Sequence, residues 1–223
     1  MIKPYYQDEW VTIYNADCRD ILPDLPKVDL VLSDPPYGID VIGGSKLVEV
    51  NKYQPIYGDD SKIDLSPLFS VSKNQIIFGG NYFELPITKA WIIWDKKLKN
   101  NWNDNFSDGE MAWTSFDTVT RIFRCLYMGL LHPHEDSRVH PTQKPLELMR
   151  WIIENYSQVT DIILDPYMGS GSTLVACKEL GRHCIGIEIE EKYCEIAAKR
   201  LSQCVLPLDF NTKTIADKQQ AML

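Results

Sequence analysis

The stretch from Thr160 to Gln203 constrains the fold more than any other part of this 223-residue chain. Thr160-Asp161-Ile162-Ile163-Leu164-Asp165 is a short apolar run that halts before Gly169-Ser170-Gly171, after which Leu174, Val175 and Leu180 suggest a helix ending at Gly181. His183 to Ile189 reads as a second buried strand. Glu191 to Gln203 reads as a helix with Tyr193, Ile196, Ala197 and Leu201 on one face. Strand, glycine turn, helix and strand form one βαβ unit, which requires a parallel sheet. Just upstream, Pro145 to Ser157 spaces Leu146, Met149, Ile152, Ile153 and Tyr156 as an amphipathic helix.

The first half holds a second such unit. Trp10 to Asn15 is a strand, Arg19 to Leu25 a short helix, and Val28 to Asp34 a buried strand that stops at Pro35-Pro36. Asn74 to Phe78, Trp91 to Trp94 and Glu110 to Ser115 are further short strands bounded by Gly, Asn, Asp or Pro. The class is α/β, a sheet with helices on both faces. The polar, turn-rich stretches Gly38 to Lys73 and Lys96 to Asp108 read as long loops of a single domain over 1–210, and 211–223 as a flexible tail.

Composition removes several function classes. No stretch approaches a membrane-spanning length without charges, and Met1 to Trp10 lacks a basic segment followed by an apolar run. The six cysteines form no C-x-x-C pair, so reduced thiols in a cytoplasm are expected. His132, His134, His140 and His183 lack partners at metal-ligand spacing, and no metal site is expected. With 23 basic against 31 acidic residues the net charge is −8, so any contact with nucleic acid needs a local basic patch.

Two motifs carry chemistry. In Asp165-Pro166-Tyr167-Met168-Gly169-Ser170-Gly171-Ser172-Thr173, two glycines sit in a strand-to-helix turn, where backbone amides can approach a small molecule closely. Glu188 ends the next strand, near the spacing of about 20 residues at which an acid meets ribose hydroxyls. A dinucleotide site normally shows a third glycine, so the pattern favours a cofactor without phosphates, such as S-adenosylmethionine. Asp165 would then hold its amino-acid end and Glu188 its ribose. The plainer alternative is a tight turn packed on the sheet.

The second motif is Asp34-Pro35-Pro36-Tyr37. An exocyclic amine has its lone pair delocalised into the ring. A carboxylate accepting one N–H and the Pro35 carbonyl accepting the other would favour a pyramidal nitrogen able to attack a methyl group. The prolines restrict φ and aim that carbonyl. Tyr37 offers a flat face for a flipped base, its hydroxyl free to reach a partner at the pocket edge. Asp-Pro and Pro-Pro also punctuate ordinary turns. The place of Asp34 at the end of a buried strand, where ligands gather in open α/β sheets, favours the functional reading.

Together, Asp34-Pro35-Pro36-Tyr37 and Asp165-x-x-x-Gly169-x-Gly171 resemble the N4-cytosine/N6-adenine DNA methyltransferase family over roughly residues 10 to 205. The tetrapeptide precedes the glycine loop, and His140-Pro141-Thr142-Gln143-Lys144-Pro145 stands just ahead of the loop, an order that resembles the permuted β class. The resemblance implies a Rossmann-like S-adenosylmethionine-dependent methyltransferase fold, a seven-stranded, mostly parallel sheet in which the catalytic and cofactor strands are neighbours. It implies catalytic roles for Asp34, Pro35, Pro36 and Tyr37. Asp34 would also border the cofactor, with Asp165, Pro166, Gly169, Ser170, Gly171, Ser172, Thr173 and Glu188 around it. Asp17 and Cys18 resemble the strand end beside the cofactor's adenine, although Asp17 also fits a helix N-cap. Thr142 and Lys144 resemble the segment beside the cofactor carboxylate, although they also fit a lead-in to the Pro145 helix.

The resemblance further implies DNA as partner and a place in restriction–modification, in a bacterial or phage-infected cytoplasm. Asp rather than Ser at position 34 is the form more frequent among adenine enzymes, with N4-cytosine the alternative. An RNA or protein-amide methyltransferase, or a non-catalytic DNA-binding module of the same fold, are the remaining alternatives. Little chain is left for target recognition: loops within 38–73, 89–108 and 120–138, with Lys96, Lys97, Lys99, Arg121, Arg124 and Arg138 as candidate phosphate contacts. The same segments also fit solvated loops and a charged strand. Dimerisation would add surface, as in some members of that family.

Overall fold

The structure is a computed structural model that describes residues 2–39, 57–59, 63–96, 107–125 and 143–204. In chain order the elements are β1 (Tyr6–Gln7), β2 (Val11–Asn15), α1 (Cys18–Ile21), β3 (Leu30–Ser33), α2 (Ser66–Val71), β4 (Gln75–Phe78), β5 (Trp91–Asp95), β6 (Gly109–Thr114) and β7 (Arg121–Arg124). There follow α3 (Leu146–Tyr156), β8 (Ile162–Asp165), α4 (Ser172–Glu179), β9 (His183–Glu188) and α5 (Glu191–Gln203). The strands form one sheet in the order β1-β2-β9-β8-β3-β4-β6-β5-β7. From β2 to β4 all pairings are parallel; β6 runs antiparallel to both β4 and β5.

The two βαβ units fold as their apolar runs require. All four residues of β3 and of β4 are buried, as expected of strands covered on both faces. Side α3, α4 and α5 pack one face around Leu32, Ile76, Phe78 and Ile163; α1 and α2 cover the other around Val31, Ile77 and Leu164. Helix α5 has the expected bounds, but Cys194 joins Tyr193, Ala197 and Leu201 in its buried face while Ile196 is only half-buried. Leu148 in α3 is fully buried, whereas Leu146 and Tyr156 lie at the margin.

The structure corrects the expected fold at three places. The seven-stranded core, β2 through β5 in sheet order, carries an added strand on each edge, two-residue β1 and four-residue β7. The stretch read as loop from Gly38 to Lys73 contains α2, where Leu68 and Val71 fall three apart and dock on the sheet. Arg121 and Arg124 lie on β7, paired to β5 alone.

Candidate active site

Strands β3 and β8 are neighbours, but β3 continues toward β4 and β8 continues through α4 to β9, on opposite sides in the sheet order. Such a divergence opens a crevice at the carboxyl ends of the strands. Asp34 follows β3 directly, Asp165 closes β8, and Glu188 closes β9. The two motifs, far apart in sequence, thus converge on one edge of the sheet.

Both Asp34 carboxylate oxygens are engaged. Tyr37 donates its hydroxyl to Oδ1 at 2.7 Å, and the Lys144 ammonium lies 2.5 Å from Oδ2. The tyrosine hydroxyl, expected to reach a partner at the pocket edge, bonds the motif's own Asp34 and helps fix the carboxylate plane. One face of the Tyr37 ring stacks on Tyr82, centroids 5.0 Å apart and 16° from parallel, while Phe83 meets it edge-on. A Cβ on Gly79, whose φ is +64°, would fall 2.2 Å from the ring, so glycine is required there both for conformation and for room. Buried Asp59 accepts the Gly38 amide at 2.9 Å and ties down the far end of the motif.

Lys144 is nearly buried, its side chain 8% exposed, and lies between two acids: Asp34 and, 3.2 Å away, Glu110 of β6. The Phe78 ring lies 5.0 Å from its Nζ. Glu110 in turn pairs with Lys96. The four charges alternate in sign along Asp34, Lys144, Glu110 and Lys96. Burial opposes ionisation of Glu110, but the two ammonium groups override it and hold its pKa down to about 2. Burial opposes the charge of Lys144 as well, and here Asp34 and Glu110 prevail and hold its pKa above the usual lysine value. Burial raises the Asp34 carboxyl, with Lys144 counteracting and Glu110 reinforcing.

The other side of the crevice is built from the glycine loop. Asp165 is buried and accepts the Tyr167 amide at 3.2 Å, and Thr173 donates to it from the first turn of α4. Among the described residues no Lys, Arg or His pairs with it, and burial pushes its pKa to about 7. A buried acid without a cation suits a ligand that brings one. Glu188 accepts the Gly169 amide at 3.0 Å and the Glu190 amide at 2.8 Å, binding loop to strand; burial still raises its pKa. Arg200 of α5 donates to the Ser170 carbonyl at 2.7 Å, and the Ser170 hydroxyl reaches Gln143 Oε1 at 3.2 Å. Pro166, Ser172 and Thr173 are buried beside them.

A further reason for Gly171 emerges. Its φ is +81°, and a Cβ would meet the Ala197 Cβ at 2.8 Å, so α5 by itself demands glycine there. Asp17 takes the N-cap: its carboxylate accepts the Arg19 amide at 2.9 Å and pairs with the Arg19 guanidinium. It also follows Asn15, which pairs with Glu188 at the end of β9, and Cys18 beside it is buried.

The remaining expected residues divide. Thr142, Lys97, Lys99 and Arg138 lie outside the described residues. Lys144 is placed on Asp34, because the lead-in to α3 crosses the end of β3. Lys96 turns inward to Glu110 in place of facing solvent, because its amide bonds the Asp108 carbonyl at 2.9 Å and extends the β5–β6 pair. Arg121 and Arg124 are exposed on the sheet edge, with Arg124 at 3.2 Å from Asp95. Glu110, Gly79, Tyr82 and Asp59 went unnoticed in the sequence.

Comparison with known proteins agrees with this arrangement. The N6/N4 family model described as DNA methylase matches residues 93–199. The Type II methyltransferase M.HinfI of Haemophilus influenzae is 27% identical over 259 residues, covering 91% of this chain and 71% of its own. The crystal structure of an M1.HpyAVI–SAM complex is 25% identical with a TM-score of 0.57, covering 86% of this chain and 98% of that one. The cytosine-N4-specific PvuII DNA methyltransferase, at 16% identity, shares the fold with a TM-score of 0.60, over 96% of this chain and 93% of that one. With both motifs meeting at one crevice and relatives aligned along most of its length, the chain is similar to the N4-cytosine/N6-adenine DNA methyltransferase family, which the matched family model and these relatives support.

Proposed function

We propose that this protein methylates the exocyclic N6 amine of adenine in DNA, with S-adenosylmethionine as donor. The observation that carries the reading is the Asp34 carboxylate, fixed by Tyr37 and Lys144 at the crevice that Asp165 and Glu188 share. Asp165, the acid without a cation, would hold the donor's α-ammonium. Glu188 would face its ribose, and Asp17 and Cys18 the rim of its adenine. Gly169 and its loop neighbours, braced by Arg200, would line the methionine part. When bound, S-adenosylmethionine supplies an electrophilic methyl group on a sulfonium.

The chain's own residues prepare the acceptor. A base turned out of the duplex would lie against Tyr37, its amine directed at Asp34 and the Pro35 carbonyl. Accepting both N–H groups withdraws the nitrogen lone pair from the ring and aims it outward. As the nitrogen is alkylated it sheds a proton, and the Asp34 carboxylate, made more basic by burial, is placed to take it. The resemblance associates Asp at position 34 with adenine enzymes, which favours N6 over cytosine N4.

Exposed Arg121 on β7 would contact phosphates, together with Lys97, Lys99 and Arg138. Incubation with labelled S-adenosylmethionine and separate DNA, RNA and protein pools, followed by digestion of the labelled polymer, tests the reading. Label in DNA as N6-methyladenine supports it. Label in N4-methylcytosine, in RNA or in protein overturns it.

A further inference from the structure

The crevice end of β6 carries one acid that the proposed chemistry has not used. Glu110 lies opposite Trp94 in the β5–β6 register, with Oε1 on Lys96 and Oε2 3.2 Å from Lys144 Nζ. Lys144 has a flexible four-carbon stem that lies just ahead of α3, and a single contact to Asp34 would leave its ammonium free to swing. Asp34 Oδ2 at 2.5 Å and Glu110 Oε2 at 3.2 Å, the latter an ion-pair contact without a hydrogen bond, confine it to a place beside the Phe78 ring, 5.0 Å away. That position is what completes the donor set on Asp34.

Resting on the methyl-transfer reading of this site, we propose that Glu110 is a positioning residue for the transfer: by anchoring Lys144 it holds the Asp34 carboxylate in the orientation that receives the amine. Glu110 touches neither donor nor base in this account; it acts through Lys144. Lys96 serves as its counter-ion from β5, so the line of charges closes without an excess anion beside Asp34. The arrangement also keeps Lys144 protonated, because two anions flank one ammonium.

Glu110→Gln keeps the size and removes the charge. Single-turnover methylation of DNA by this variant is expected to fall by about tenfold to a hundredfold, the penalty of a misoriented acceptor group. Its affinity for S-adenosylmethionine in calorimetry should stay within about threefold of native, since Asp165, the glycine loop and Glu188 are untouched. The pH profile separates positioning from bracing of the strands. The native rate should hold to a higher alkaline pH than that of Glu110→Gln, because in the variant Lys144 loses one of its two anions. Lys96→Met should not bring the decline to lower pH, because it removes a positive neighbour of the pair.

A Glu110→Gln rate within twofold of native, or an alkaline decline that matches native, overturns the proposal. Equal rate losses with the same pH profile in Glu110→Gln and Lys96→Met overturn it too, in favour of simple strand bracing. Should Glu110→Gln not fold, Glu110→Asp, which keeps the charge but draws it back from Lys144, carries the rate test, with an alkaline decline shifted in the same direction by less. A native protein that methylates DNA beside an unaffected variant sinks this proposal alone. A native protein that methylates no DNA removes the reading and the proposal together.

Discussion

Lys144 lies 2.5 Å from Asp34 Oδ2, and this contact joins the segment ahead of α3 to the end of β3. It makes the acceptor half of the site a joint product of two regions distant in sequence. The carboxylate that would receive the amine is thereby held from both sides, by Tyr37 on Oδ1 and Lys144 on Oδ2.

Removing Lys144 tests what that contact contributes. Lys144→Met leaves Asp34 without its cation in a largely buried place, near a Glu110 that keeps only Lys96. Stability in urea should drop by on the order of 3 kcal/mol, and transfer should fall with it even in the folded fraction. Unchanged stability would mean that the ion pair has little weight in the fold.

Gly171 offers a second test. On the sequence alone, glycine in this turn serves the close approach of backbone amides to a small molecule. The structure also places Ala197 in the way, so even Gly171→Ala must strain a φ of +81° and displace α5. The expected outcome is a loss of about 1–3 kcal/mol in thermal or chemical unfolding, with cofactor affinity falling as the loop shifts. A variant as stable as native that merely loses cofactor binding would restore the simpler account.

Gly79 bears on the acceptor alone. A methyl at Gly79 would collide with the Tyr37 ring at 2.2 Å, at a φ of +64°. Gly79→Ala should lower the transfer rate by about tenfold or more while leaving S-adenosylmethionine affinity within a few-fold. Parallel losses in both would show that Gly79 supports the whole crevice.

Donor binding should depend on pH through Asp165. Its pKa is raised to about 7 by burial, so the acid is largely protonated below that pH and ionised above it. A bound α-ammonium favours the ionised form, so binding at pH 6 must first remove a proton. Affinity in calorimetry should weaken as pH falls from 8 to 6, approaching tenfold per unit below about pH 7, with protons released on binding. Asp165→Asn should bind weakly and without that dependence. A flat profile for the native protein would contradict the assignment of Asp165 to the ammonium.

What the sequence disclosed follows from how local each signal is. The runs that became β3 and β8, and the helical periodicity of α3 and α5, depend on neighbours in the chain and could be read directly. Asp34 and Asp165 were found because each ends such a run. Glu110 carries no local mark: it is an ordinary polar residue at a strand end, and only the antiparallel β4–β6 pairing brings it toward Lys144. Lys96 looked like a surface cation for the same reason, its partner being across the sheet. Helix α2 escaped notice because Ser66-Pro67-Leu68-Phe69-Ser70-Val71 is short and buries only two positions. Gly171 stood out through its turn, but the helix that packs on it follows later in the chain.

The most direct test of the central claim is nucleoside analysis, by mass spectrometry, of unmethylated DNA treated with S-adenosylmethionine and either the native protein or Asp34→Ala. The account predicts N6-methyladenine from the native protein alone, with Asp34→Ala inactive yet binding S-adenosylmethionine within several-fold of native. N4-methylcytosine from the native protein, N6-methyladenine from Asp34→Ala, or equal loss of binding and activity in the variant would contradict it.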